Sequence, residues 1–164
     1  MSEPGLGDRS APEPDVSTRQ LLVLRLGEAR FGLWIEEVLE VVRTPPVSRL
    51  PLPTEEVPGV TSVRGDVVPV LDLGVRLLGS PAARPGRLVL VRHEESGSVV
   101  GLLVDAAEAL LQLREGEVMP PPPAAEAKLP AELMAGVVMG DDAVVTVLQL
   151  ARAAAPPQPA PDRR

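Results

Sequence analysis

The sequence predicts an all-β protein built as two small, similar barrels of about five short strands each. Three observations carry this reading. Short valine-rich runs alternate with Gly, Pro and acidic turn residues along the middle of the chain. One segment recurs: Gly59–Leu73 (GVTSVRGDVVPVLDL) and Gly136–Leu150 (GVVMGDDAVVTVLQL) are identical at seven of fifteen positions, the mark of a duplicated unit. Hydrophobic residues make up 45% of the 164, yet they include one Phe, one Trp and no Tyr. The cores must therefore be filled by Val, Leu and Ala, which suits thin layers of small strands.

The elements follow in order. Leu21–Leu26 is a strand and Gly27–Arg30 a turn. Phe31–Ile35 alternates, with Phe31, Leu33 and Ile35 on one face and Gly32 and Trp34 on the other. Ile35–Leu39 fits one helical turn, and Glu40–Arg43 begins another strand. Pro45, Pro46, Pro51, Pro53 and Pro58 force an extended, irregular stretch. Val60–Val63 and Val67–Leu71 form a hairpin around Arg64-Gly65-Asp66, where Gly65 supplies a positive φ. Leu88–Arg92 and Val99–Val104 are strands around a polar turn, and Ala106–Leu113 is a short turn leading into a strand. Met119–Pro130 is a proline-rich spacer, with Pro120–Pro123 in polyproline II. Val137–Met139 and Ala143–Val147 form the last hairpin. Leu148–Ala154 closes the fold as a short helix. Upstream of each repeated hairpin, Phe31–Val42 (FGLWIEEVLEVV) parallels Val100–Leu111 (VGLLVDAAEALL), with Glu40 set against Glu108 by one deletion.

Composition narrows the function. With 16 Lys plus Arg against 23 Asp plus Glu, the net charge is −7, which repels a phosphate backbone, so no nucleic-acid partner is expected. The absence of cysteine removes disulfides, zinc-thiolate sites and thiol nucleophiles. No nucleotide loop, zinc-protease helix or nucleophile elbow occurs. Neither an enzyme activity nor a cofactor or metal is expected. No apolar run approaches membrane-spanning length and the start is polar, so the protein reads as cytoplasmic without direct membrane insertion. Residues 1–19 and 155–164 are Pro-rich and apolar-poor, and read as disordered tails around a folded part of 20–154.

Few side chains stand out as functional candidates. His93, beside Glu94 and Glu95, reads as an ordinary surface residue of a turn. Asp72, Asp105, Asp141 and Asp142 read as turn and strand-end residues, where a carboxylate bonds nearby backbone. Arg64 is sharper. Its partner in the repeat is Asp141, so the barrel does not require a cation there, and Arg64 is free to pair with Glu40 or with an acid on a partner. Trp34 is expected to face outward or into the seam between the barrels, a possible interface. Val38, Glu40 and Val41, with Glu36 and Glu37, make an acidic edge beside apolar residues, which is the chemistry of a docking rim.

With these residues in hand, the chain resembles the CheW-like family of chemotaxis coupling proteins over residues 20–154. LLVLRLGEARFGLWIEEVLEVV is similar to the family's opening strand pair and its V-x-E segment. PGVTSVRGDVVPVLDL is similar to its most diagnostic stretch, with the R-G turn. LVLVRHEESGSVVGLLVDAAEALLQL resembles the strand pair ending V-G-(L/I)-x-V-D-x-V. MPPPPAAEAKLPAELMAGVVMGDDAVVTVLQL resembles the spacer and final hairpin. The chain departs from the pattern at Ser62, Trp34 and Ala107 and in the run Thr44-Pro45-Pro46, which points to a member tuned to its own partners.

The resemblance implies two five-stranded SH3-like barrels packed through a shared core. The first would span about 20–83 with the terminal helix 148–154, and the second about 84–147. It implies a non-catalytic adaptor, monomeric in isolation. Such an adaptor joins the cytoplasmic tip of methyl-accepting chemoreceptors to the regulatory domain of the histidine kinase CheA, in membrane-associated receptor arrays. The alternative is a CheW-like adaptor that has lost kinase coupling or that serves a non-flagellar chemosensory pathway. By motif, Val38 and Glu40 match the V-x-E positions and Arg64 and Gly65 the R-G turn, all four implied in receptor or kinase coupling; with Val41 and Leu110 they are expected to form the receptor-binding set at a groove between the barrels. Gly59 matches the family's glycine before the hairpin, at the kinase-facing end, and the kinase barrel is expected to pack along the outer edge of the first barrel around Val47, Leu50, Val57 and Gly59. Gly101 and Asp105 would shape the second lobe.

Overall fold

Eleven strands and a few short helical turns make up the structure, a computed structural model that describes residues 18–93, 96–121, 129, 131–141 and 143–155. Most of both expected tails, Pro122 and Pro123 with much of the spacer, Glu94, Glu95 and Asp142 lie outside the described residues. The strands are β1 (Thr18–Leu26), β2 (Ala29–Trp34), β3 (Val38–Arg43), β4 (Ser48–Arg49), β5 (Gly59–Val63) and β6 (Asp66–Asp72). They continue with β7 (Arg87–Arg92), β8 (Val99–Val104), β9 (Ala106–Arg114), β10 (Met134–Met139) and β11 (Val144–Leu148). Two short helices, α1 (Leu73–Leu78) and α2 (Leu150–Ala153), follow β6 and β11.

The strands form two sheets, ordered β10-β11-β2-β1-β9 and β3-β7-β8-β6-β5-β4. Five strands of each correspond in order, and β4 is additional in the second sheet. β5–β6 and β10–β11 pair in the same register, so Gly59 faces Val70 as Gly136 faces Val147. The two parallel pairings also coincide, Val70 with Gly101 and Val147 with Gly32. Even the recurring glycine has one cause. A Cβ at Gly59 would lie 2.1 Å from the Ser48 carbonyl oxygen, and one at Gly136 would lie 2.7 Å from that of Met119. In each barrel a stub of chain crosses there: β4 in one, the Met119–Val137 bridge in the other.

Contiguous halves are not the units of this fold. The boundary expected near residue 83 is overturned by the sheet orders, because β1 and β2 join β9, β10 and β11, while β7 and β8 join β3–β6. Each repeat gives its leading hairpin to the other repeat's barrel. The alignment also shifts by one: β1 pairs with β9 and β7 with β3 around equivalent bulges, at Glu108 and Leu39. Glu40 therefore corresponds to Ala109, and Glu108 to Leu39.

Burial follows from the alternation of each strand. Leu21, Val23, Leu113, Val138, Val145 and Val147 fill one barrel. Val68, Val70, Leu88, Leu90 and Leu103 fill the other. The opposite faces of the same strands, including Leu22, Leu24, Phe31, Leu33, Val89, Val91 and Leu102, join Leu73, Leu77 and Leu150 of the two helices in a shared core between the sheets. Buried carboxylates fasten the connections. Asp105 accepts hydrogen bonds from the Gly27 N–H (2.7 Å) and the Arg84 N–H (3.0 Å). Asp72 caps α1 through the Val75 N–H (3.3 Å) and also takes the Ala82 N–H (3.1 Å).

Candidate functional site

The edge strand β3 presents different chemistry on its two faces, and the bulge at Leu39 creates the difference. Val38 lies opposite Val91 and Val41 opposite Val89, on the face of the shared inter-sheet core. After the bulge, Glu40 lies opposite Leu90 and Val42 opposite Leu88, on the face of the barrel interior. β9 occupies the equivalent edge of the other sheet. There Leu110 stands opposite Leu22 of the shared core and is half exposed, and Ala107 packs against that core. Val38 and Val41 on one edge strand and Leu110 on the other thus hold symmetry-like positions on the faces toward the seam between the sheets. Leu39, also half exposed, adds apolar surface at the bulge.

The sequence reading put Arg64 in that seam, but the structure sets it on the other side of β3. At the tip of the β5–β6 hairpin, the Arg64 guanidinium binds both carboxylate oxygens of Glu40. The contact ties the edge strand β3 to the hairpin. Arg64 itself is 71% exposed while Glu40 is 27% exposed, so the pair is a surface feature with one face turned to solvent. Arg64 holds the Glu40 carboxyl below the ordinary carboxylate range, and the carboxylate raises the guanidinium in return.

The turn that carries Arg64 is a two-residue loop between Val63 and Asp66, with φ of 53° at Arg64 and 85° at Gly65. Positive φ at both central residues is the type I′ pattern, whose twist matches that of the flanking strands. Gly65 meets it at no steric cost. Arg64 is the one non-glycine residue with positive φ among the described residues. A cation is thus held where Asn or Gly would be easier, at an exposed tip.

The expected kinase-facing residues lie along the opposite edge of the same barrel. Val47 packs against the barrel core. Leu50 and Val57 are half-buried and help wall an open apolar cavity of about 480 Å³, together with Leu52, Pro69 and Val100. Leu52, missed in the sequence, is 89% exposed. The Leu-Pro-Leu-Pro run is its signal, since flanking prolines hold the chain extended. Gly59 is buried and offers no side chain; it lets β4 cross close to β5.

Two other expectations are corrected. Trp34 neither faces outward nor sits in the seam. It shares the Gly32 face of β2 and packs half-buried against the core of the first sheet's barrel, with the Arg19 guanidinium 3.8 Å from its ring centre. Arg19 is held there by the Glu36 carboxylate, which its Nε reaches at 3.0 Å. His93 is not an ordinary surface residue; it is buried, with Nδ1 3.3 Å from Ser96 Oγ, on the wall of the apolar cavity. Among the described residues no three His, Asp or Glu side chains come close enough to hold a metal ion. No helix there is long and apolar enough to cross a membrane.

The comparison with known families decides the identity of this arrangement. The description of the CheW-like domain matches residues 20–155. The chain belongs to the CheW-like domain family. Among its relatives is the probable chemotaxis protein CheW of Rhizobium etli, 30% identical over 132 residues, covering 80% of this chain and 84% of that protein. The protein FrzA of Myxococcus xanthus is 32% identical over 148 residues, covering 88% and 91%. The scaffolding protein TtCheW of Thermoanaerobacter tengcongensis has a similar structure, with a TM-score of 0.75 and 27% identity over 87% of this chain and 89% of that one. The fold is accordingly the SH3-like double barrel of CheW, and the protein is a non-catalytic chemotaxis adaptor of that scaffold type.

Proposed function

We propose that this CheW-like protein couples the cytoplasmic tip of methyl-accepting chemoreceptors to the regulatory domain of the histidine kinase CheA, and does so in the cytoplasm at receptor arrays. The receptor's helical hairpin straddles β3. It packs on the seam of Val38, Val41 and Leu110 on one side and reads the Glu40–Arg64 pair and the Gly65 turn on the other. The kinase barrel packs along Val47, Leu50 and Val57, on the edge that Gly59 keeps close. Apolar contact supplies the affinity, and the ion pair supplies register.

The carrying observation is the Glu40–Arg64 pair on a turn whose backbone an arginine fits poorly. A solvated ion pair adds little stability, and strained residues cluster where surfaces work. The arrangement also suggests how signal would pass. Arg64 links the edge strand to the hairpin, so a receptor that shifts β3 also shifts the β5–β6 hairpin. β5 in turn carries β4 on the kinase side, and small displacements bias a two-state partner.

Co-sedimentation with receptor fragments and CheA tests the assignment. The intact protein brings down both; Arg64→Ala and Val38→Asp lose the receptor fragment, and Leu50→Asp loses CheA. A second reading, an adaptor of a non-flagellar pathway without kinase coupling, draws support from the long match to FrzA, a relative that does not bear the CheW name. Sedimentation with receptor but not with CheA would favour it.

A further inference from the structure

The connection from β4 to β5, residues 50–58, carries Leu50, Leu52 and Val57 and forms one wall of the apolar cavity. It has no helix or strand of its own, and Pro51, Pro53 and Pro58 bring no N–H to it. Inside the loop, the Thr54 N–H donates to the Val57 carbonyl (3.2 Å) and the Val57 N–H to Thr54 Oγ1 (2.9 Å). Among the described residues, both hydrogen bonds that fasten the loop to the rest of the chain are at Glu56. Its carbonyl accepts from the Asp72 N–H (2.7 Å), and its carboxylate accepts from the Arg76 guanidinium of α1 (2.9 Å). The other terminal nitrogen of Arg76 donates to the carbonyls of Arg152 (3.1 Å) and Ala153 (3.2 Å). These stand at the end of α2, where a helix leaves carbonyls without internal partners. One guanidinium thus joins the loop to both helices.

The repeat separates the bonds that the fold needs from those it does not. In the register that sets Gly59 against Gly136, Asp72 falls on Gln149, Glu56 on Leu133 and Arg76 on Ala153. The backbone bond recurs, since the Gln149 N–H donates to the Leu133 carbonyl at 2.9 Å. The side-chain pair does not recur: Leu133 and Ala153 are both buried in the shared core. One barrel therefore closes this corner with apolar side chains. The other places there a guanidinium whose side chain is 11% exposed, paired with a carboxylate that is 32% exposed. Withdrawing that charge from water carries a penalty that an apolar pair avoids, so stability alone does not account for the pair.

We propose that Arg76, acting through Glu56, is a positioning residue for CheA docking: it fixes residues 50–58 against the two helices and so presents Leu50 and Val57 to the kinase barrel. This rests on the kinase edge proposed above. It also gives the receptor side a second connection to that edge. Val38 and Val41 pack against the same core as Leu73 and Leu77 of α1 and Leu150 and Ala153 of α2. A close-packed core transmits displacement, so a shift of β3 reaches the helices that Arg76 joins, and the loop moves with them.

The test is a double variant, Glu56→Leu with Arg76→Ala, which gives this corner the residues that the other barrel uses. Its thermal midpoint is expected within a few degrees of the parent, with receptor binding unchanged and CheA affinity lower by about tenfold. In methyl-labelled NMR the Leu50, Leu52 and Val57 signals should move, while those of Val138 and Val145 inside the other barrel stay in place. Arg76→Lys, which keeps a cation near the same acceptors, should recover part of the CheA affinity. Unchanged Leu50, Leu52 and Val57 signals would overturn the proposal. Unfolding of the double variant, or an equal loss of receptor and CheA binding, would overturn it too, since the pair would then be purely structural. If the methyl signals move but CheA affinity is unchanged, the hold on the loop stands and the kinase assignment of this edge fails.

Discussion

Arg64 carries the most chemistry of any residue in this chain, and its backbone makes that testable. A non-glycine residue in the left-handed region costs roughly 1 kcal/mol relative to glycine. Arg64→Gly is therefore expected to keep or raise stability by up to about 1 kcal/mol in urea denaturation while receptor binding is lost. A clear loss of stability would make Arg64 a structural residue. Glu40 gives an independent reading. Its folded carboxyl titrates below the ordinary range because Arg64 bonds it, whereas in the unfolded chain it titrates normally. The pair's contribution to stability is thus complete above the ordinary carboxylate range and is lost as pH falls through the lowered folded value. In Arg64→Ala, NMR titration should find Glu40 returned toward the ordinary range, and the two proteins should converge in stability in strong acid. The sequence made this pair visible, because Asp141 replaces Arg64 in the repeat. It could not reveal that the Leu39 bulge turns Glu40 away from Val38 and Val41, since a bulge changes facing without any residue that announces it.

At the scale of elements, the hairpin exchange matters most. A strand pair was legible wherever valine runs flanked Gly or acidic turns, and the repeat was legible in Gly59 and Gly136. Which pairs share a barrel was not, because β2–β11 and β6–β8 are parallel contacts between distant segments and leave no local pattern. α1 is short, yet its signals stand in the sequence: Asp72 at the N-cap and Gly79, at φ 79°, closing it. The polar residues that follow His93 in sequence point to a surface turn, whereas the cavity wall takes its ring. The exchange predicts that residues 18–83 and 84–155, made separately, do not fold alone but reassemble when mixed. Circular dichroism and a native-like NMR spectrum of the mixture check this; an independently folded half would contradict it. Gly59→Ala would drive a methyl into the Ser48 carbonyl. Overpacking of this kind costs about 1–3 kcal/mol, and it should pull β4 from β5 and weaken CheA binding more than receptor binding.

Across the whole molecule, three apolar cores lie in series: one inside each barrel and one between the sheets. Each strand of the exchanged hairpins β1–β2 and β7–β8 contributes to two of them, so the body is suited to carrying displacement from one edge to another. The function proposed here needs only that property and the surfaces that exploit it. The most direct measurement is receptor-dependent activation of CheA by Arg64→Ala and by Glu40→Lys, taken with each variant's thermal midpoint. The account predicts midpoints within a few degrees of the parent and activation abolished in both. Full activation by either folded variant, or unfolding of both, would contradict it.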